Sequence, residues 1–127
     1  MKNRLFVIAV VISAAAVAVA AEEKWNAPAD AAARKNPLPA NAASIGRGKT
    51  VYTAECLSCH GSSGKGDGPA AKDLKESPGD MTKLGSQSDG ALFWKISEGK
   101  KPMPGFARKL SDQQRWDLIN YLRTLKK

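Results

Sequence analysis

Cys56-Leu57-Ser58-Cys59-His60 gathers the chain's two cysteines and its one histidine into five consecutive positions. Such crowding of scarce, reactive side chains points to a bound group. Residues i and i+3 at a helix end project to the same side. Two thiols so placed reach the two vinyl groups on one edge of a porphyrin, and a histidine one residue on presents its imidazole to the iron. The C-x-x-C-H pattern therefore reads as covalent haem attachment through Cys56 and Cys59, with His60 as an iron ligand. A structural zinc site wants four ligands, and no second C-x-x-C is present. A thiol–disulfide oxidoreductase would need a βαβ setting that the sequence lacks. A plain disulfide would leave His60 unexplained.

With His60 spent, a second histidine ligand within the chain is impossible. The remaining soft donor is methionine, which with histidine makes a six-coordinate electron-transfer haem. Met1 belongs to the N-terminal segment; Met81 and Met103 remain. Met103 stands in "KKPMPGF", where Lys101 and Met103 each precede a proline and are pushed toward extended geometry. Such a stiffened loop holds a thioether with little entropy left to lose. Met103 is therefore the expected second iron ligand, and Met81 an apolar filler.

These residues need elements to carry them. Ile45, Gly48, Val51 and Tyr52 recur at helical spacing behind a candidate N-cap, Ser44, and predict a helix ending near the cysteines. The stretch 60–87 is dense in Gly, Ser, Asp and Pro and reads as loop, with a helical turn at 70–74. Gly61 to Gly66 is not a phosphate loop, because Asp67 stands where Lys-Ser/Thr is required. Its glycines are expected to let the backbone turn against the porphyrin edge. Ser88 caps a second helix with Leu92, Phe93 and Ile96 on one face, closed by Gly99. Ser111 and Gln114 make a capping box for a last helix with a Leu118, Ile119, Leu122 and Leu125 stripe. Nothing alternates at period two, so no sheet is expected.

The N-terminus reads as a secretory signal over residues 1–20: Lys2 and Arg4, an uncharged run from Leu5 to Ala21, and a small-x-small pattern at Ala18-Val19-Ala20. An uncleaved anchor is the alternative. Residues 21–44, rich in Pro and Ala, read as an extended leader that lies over the domain or tethers it, with Trp25 its one candidate anchor. Export implies a periplasmic protein. The domain itself, residues 45–127, is small enough to depend on a cofactor for its core.

The ordered motifs resemble the class I c-type cytochromes, small bacterial monohaem electron carriers. Gly48 and Tyr52 stand where that family has its first-helix glycine and aromatic. Gly64-Lys65-Gly66-Asp67-Gly68-Pro69 is similar to the loop after the haem. Pro102-Met103-Pro104 with Phe106 is similar to the distal ligand loop, and Trp116 to Leu122 to the last helix. The resemblance implies an all-α, cytochrome c-like fold of three to five short helices around one covalent haem c, first and last helices crossing. Gly48 would then admit the closing helix near Leu118 and Tyr121. It also implies a proline carbonyl, from Pro69 or Pro78, accepting the His60 Nδ1 proton. Tyr52, Leu92, Phe93, Trp94, Trp116 and Leu122 are expected as apolar walls.

The expected function is one-electron transfer by a monomer that binds no small-molecule substrate. A formal net charge of +8 and Lys65, Lys72, Lys100, Lys101, Arg108 and Lys109 near the haem elements suggest a basic ring that steers acidic redox partners. An ordinary solvated surface is the alternative. No nucleic-acid motif or basic stripe accompanies the charge. Two other functions remain open: a haem subunit or tethered donor of a larger redox complex, and a haem whose sixth site opens to peroxide or a diatomic gas.

Overall fold

A computed structural model of the chain describes residues 24–126. The predicted signal, residues 1–20, lies outside them. Five helices follow in order: α1 (Ala29–Ala32), α2 (Ala42–Glu55), α3 (Leu57–His60), α4 (Asp89–Glu98) and α5 (Asp112–Thr124). Two 3-10 turns, Ala71–Asp73 and Met81–Ser86, lie between α3 and α4. Among the described residues there is no strand, only one isolated bridge between Lys100 and Met103. The fold is all-α.

Helix α2 starts earlier than its periodicity suggests. Asn41, not Ser44, is the N-cap, its side chain accepting from the Ser44 amide at 2.9 Å. Ser44 is instead buried, and its hydroxyl donates to Asp117 Oδ1 at 2.5 Å. The capping box at the head of α5 forms as expected, with Ser111 and Gln114 bonding reciprocally. Ser88 caps α4 by accepting from the Ala91 amide.

The most extensive helix contact is between α2 and α5. At its centre Gly48 meets the Asp117 carbonyl, and a Cβ there would also stand 2.9 Å from Tyr121 Cβ. The expected close approach at Gly48 is present, against Asp117 and Tyr121 rather than Leu118. Asp117 is 1% exposed. Burial pushes its carboxyl pKa up, but bonds from Arg47 and Ser44 more than offset this and hold it below the usual range. Arg47 Nε donates to Oδ2 at 2.8 Å.

Residues 24–40 are not simply extended. They include the single turn α1, which packs on α4. Among the described residues no helix is long and apolar enough to cross a membrane.

Two glycines in α2 make a matched test of the crossing. Gly46 has open space where a side chain would go, whereas Gly48 has backbone. Gly46→Ala should stabilise by about 0.5–1 kcal/mol by removing chain entropy from the helix interior. Gly48→Ala should destabilise by about 1–3 kcal/mol, because neither helix backbone has room to yield. Urea unfolding of the two variants checks both signs; equal effects would refute the contact.

Candidate functional site

The attachment turn is α3 itself. Cys56 caps both α2 and α3, so the two helices meet at the first cysteine. The glycine-rich loop then folds back on it. Gly66, Gly68 and Ala70 amides donate to the His60, Cys59 and Ser58 carbonyls at 2.8, 3.0 and 2.9 Å. These are carbonyls that a helix end leaves without partners. A Cβ on Gly68 would lie 2.7 Å from Cys59 C. Gly68 thus serves close approach to the cysteine turn, whereas Gly64 approaches Leu125 and Met81 and Gly66 the Pro78 carbonyl.

Cys56, Cys59, His60 and Met103 all line one cavity of about 480 Å³. Its remaining wall is largely apolar, with Leu74, Met81, Leu92, Ile96, Phe106 and Leu118 among the contributors. No disulfide joins the two cysteines, and Cys56 is buried. Burial, and then the Glu55 carboxylate beside it, push the Cys56 thiol up to about 12. Burial lowers the His60 pKa, keeping the imidazole neutral as a metal ligand must be. Its Nδ1–H donates to the Gly79 carbonyl at 3.2 Å, which leaves the Nε2 lone pair for a metal. The orienting acceptor is therefore Gly79, next to Pro78, and neither proline carbonyl. Pro69 is exposed and off the cavity. Among the described residues no three His, Cys, Asp or Glu side chains gather as a metal-ion site. The donor set and apolar lining fit a porphyrin.

Met103 is held by a tight backbone pair: Lys100 N donates to Met103 O at 3.1 Å and Met103 N to Lys100 O at 2.9 Å. The Lys101–Pro102 peptide bond is cis. Just beyond, the Phe106 amide donates to the Ile96 carbonyl at 2.9 Å, tying the loop to α4.

Several expected wall residues lie elsewhere. On α4, Leu92 and Ile96 share the cavity face one turn apart, so Phe93 and Trp94 are rotated away. They line a smaller cavity of about 270 Å³ on the opposite side. There Phe93 stacks on Trp116, ring centroids 4.0 Å apart. Tyr52 does not line the haem-sized cavity; its hydroxyl donates to the Gly61 carbonyl at 2.6 Å and fastens α2 to the glycine loop. Leu122 does line it. Of the expected basic residues, Lys100 and Lys101 reach the lining, joined by Lys83 and Lys95. Glu55, Glu76 and Asp80 also contribute, with Glu55 paired to Lys109 at 2.7 Å.

Arg123, the basic residue in the last turn of α5, does more than complement the helix end. Its guanidinium donates to the Leu84 and Gln87 carbonyls at 3.0 and 2.6 Å and to Asp89 at 2.7 Å. It thereby pins the Met81–Ser86 wall to α5. No local pattern announces this, because two acceptors are backbone carbonyls and the third, Asp89, lies 34 residues away in the chain.

The Cytochrome c family matches residues 45–126. Cytochrome c6 of Nostoc sp. (strain PCC 7120) is 36% identical over 84 residues, covering 66% of this chain and 73% of that protein. Cytochrome c6 of Thermostichus vulcanus is 32% identical over 64% of this chain and 70% of its own. Among solved structures, a chain of the Kuenenia stuttgartiensis reducing HAO-like protein complex Kustc0457/Kustc0458 superposes with a TM-score of 0.66 at 35% identity. That match covers 72% of this chain and 47% of the other, so this chain spans about half its length. The KustC0563 c-type cytochrome gives a TM-score of 0.55 at 25% identity, over 63% of this chain and 98% of that one. The chain belongs to the cytochrome c family. It is a small class I c-type cytochrome, a haem c electron carrier.

Arg123 offers a direct test of the wall. A charge-assisted bond contributes about 1.5–3 kcal/mol, and each 1.4 kcal/mol is tenfold in an equilibrium. Arg123→Ala should therefore raise amide exchange at Gln87 by about 10- to 100-fold without comparable change in α2. Hydrogen exchange read residue by residue checks it; unchanged protection at Gln87 would remove Arg123 from this role.

Proposed function

We propose that the haem is fixed by thioether bonds from Cys56 and Cys59, each thiol adding across one vinyl group, and that His60 and Met103 are the iron ligands. The observation that carries this reading is the convergence of these four side chains on one apolar cavity. When bound, the haem supplies a one-electron Fe(III)/Fe(II) couple. The chain's own residues do the rest. The Gly79 carbonyl holds the His60 tautomer and ring orientation. The Met103 sulfur, a soft donor, favours the reduced state, and the apolar lining disfavours the extra positive charge of the oxidised one. Ligands fixed by backbone at both ends need little rearrangement when the charge changes.

The protein is exported to the periplasm through residues 1–20, by the charge and length of that segment, and acts as a soluble monomer. Lys83, Lys95, Lys100 and Lys101 around the cavity favour docking of acidic partner surfaces. The intervening carboxylates make this a mixed rim, so orientation depends on where the lysines are as well as on their number. A second reading, a carrier bound into a larger redox assembly, is supported by the likeness to a chain of the HAO-like complex. Co-purification from the native cell separates the two.

In Met103→Ala the weak long-wavelength sulfur-to-ferric band should vanish and the midpoint potential should fall, while Met81→Ala, which loses a lining residue and no ligand, keeps the band. An intact band in Met103→Ala would overturn the ligand assignment. Electron exchange with an acidic partner should slow as salt rises from about 0.01 to 0.1 M, where the screening length shrinks from about 30 to 10 Å. A stopped-flow rate independent of salt would reject the steering.

A further inference from the structure

Residues 24–44 precede the span that matches the family, yet they are gripped along their length. The Arg34 guanidinium lies 4.5 Å from the Phe93 ring centroid and 5.4 Å from that of Trp116. Asn36 Nδ2 donates to the Trp116 carbonyl at 3.2 Å and to Asn120 Oδ1 at 2.9 Å. The Ser88 hydroxyl donates to the Ala32 carbonyl at 2.7 Å. Gly90 lies so close to α1 that a Cβ there would clash with the Ala31 carbonyl and stand 2.7 Å from that of Arg34. Toward the N-terminus the segment reaches Trp25, which lines the same cavity as Cys56, Cys59, His60 and Met103. Lys95 Nζ sits 5.3 Å from the Trp25 ring centroid and donates to Gln87 Oε1 at 2.5 Å; both residues also line the cavity.

We propose that residues 24–44 form a strap that delivers Trp25 as a wall of the haem cavity, so that the segment outside the matched span sets how much of the haem edge meets water and partners. The inference rests on the haem reading above. Its physical content is simple. Indole is the largest apolar side chain and can cover a porphyrin edge, while its N–H end tolerates water. The Lys95 ammonium over the ring fixes the indole by cation–π attraction. Water excluded from a haem raises its potential. An incoming partner then meets Trp25 and Lys95 instead of a bare edge, which makes Trp25 a specificity-determining residue for electron exchange.

The test uses the haem-loaded, nitrogen-15-labelled full-length protein. The indole N–H signal absent from Trp25→Phe is that of Trp25. It should shift between the ferrous and ferric states, because the iron becomes paramagnetic beside it. A signal at the position of a water-exposed indole in both states overturns the proposal. Trp25→Ala should lower the midpoint potential and Trp25→Phe should largely restore it; equal midpoints in all three proteins overturn the claim on the haem edge. Loss of the Met103 band in the unmutated protein would instead strike the ligand assignment, and the Trp25 signal would still report its place beside the haem.

Discussion

At Gly48 the backbone of α2 meets the Asp117 carbonyl on α5, and no side chain can stand between them. Eight residues on, about 12 Å along the helix axis, α2 ends at Cys56. One residue past the contact on the other helix, Leu118 faces the cavity, and Leu122 does so a turn later. The thiols and the apolar wall opposite them are thus positioned from one shared point. If the helices were held apart by a methyl group, the cysteine turn and the α5 wall would separate together. The cavity would change shape without the loss of any residue that lines it. A residue with no side chain therefore acts on the site through distance alone.

The same crossing carries a buried polar cluster. Asp117 accepts from Ser44 and Arg47, Asn120 Nδ2 donates to Ser44 Oγ at 2.8 Å, and Asn36 donates to Asn120. Among the described residues no buried side-chain nitrogen or oxygen lacks a partner. A fully satisfied network of this kind fixes orientation, because any rotation of α5 against α2 would strand a buried donor or acceptor. Apolar packing at the crossing tolerates small slides; a carboxylate bonded by a hydroxyl and a guanidinium does not. Asn36 brings the N-terminal segment into the same network, so that segment is coupled to the contact that positions the haem site.

Local chemistry was legible in the sequence and most long-range chemistry was not. The C-x-x-C-H spacing, the Ser111–Gln114 capping box and the Ser88 cap each involve residues within four positions of one another. Gly48 was legible because a glycine inside a helical pattern asks for a close neighbour, though which neighbour it meets depends on the rotation of α5. Ser44 looked like a cap because serine caps helices, but its hydroxyl is taken by Asp117 from far along the chain, and Asn41 supplies the cap. Leu92-Phe93-Trp94 is apolar on all sides, so periodicity alone could not tell which face meets the haem-sized cavity and which meets the Trp116 stack. Gly79 left no trace because its contribution to His60 is a backbone carbonyl, which every residue possesses.

Phe93 and Trp116, absent from the cavity, bear on how it works. The His60 side of the cavity belongs to α2, α3 and the glycine loop, which move with α5 through the Gly48 contact. The Met103 side belongs to α4, through the Phe106–Ile96 backbone bond. Among the described residues no backbone hydrogen bond joins the two sides directly. What holds them at a fixed separation is the packing of α4 on α5: the Phe93–Trp116 stack, the buried Arg115 bonded to Ser97, and Arg123 clasping Asp89. If both sides supply iron ligands, a constant distance between them is the condition for a charge change without rearrangement. The aromatic pair meets that condition from behind, by keeping α4 from rocking on α5. Its distance from the cavity follows from that task, since a stack exposed to the haem would have to adapt to the haem as well as to its partner ring.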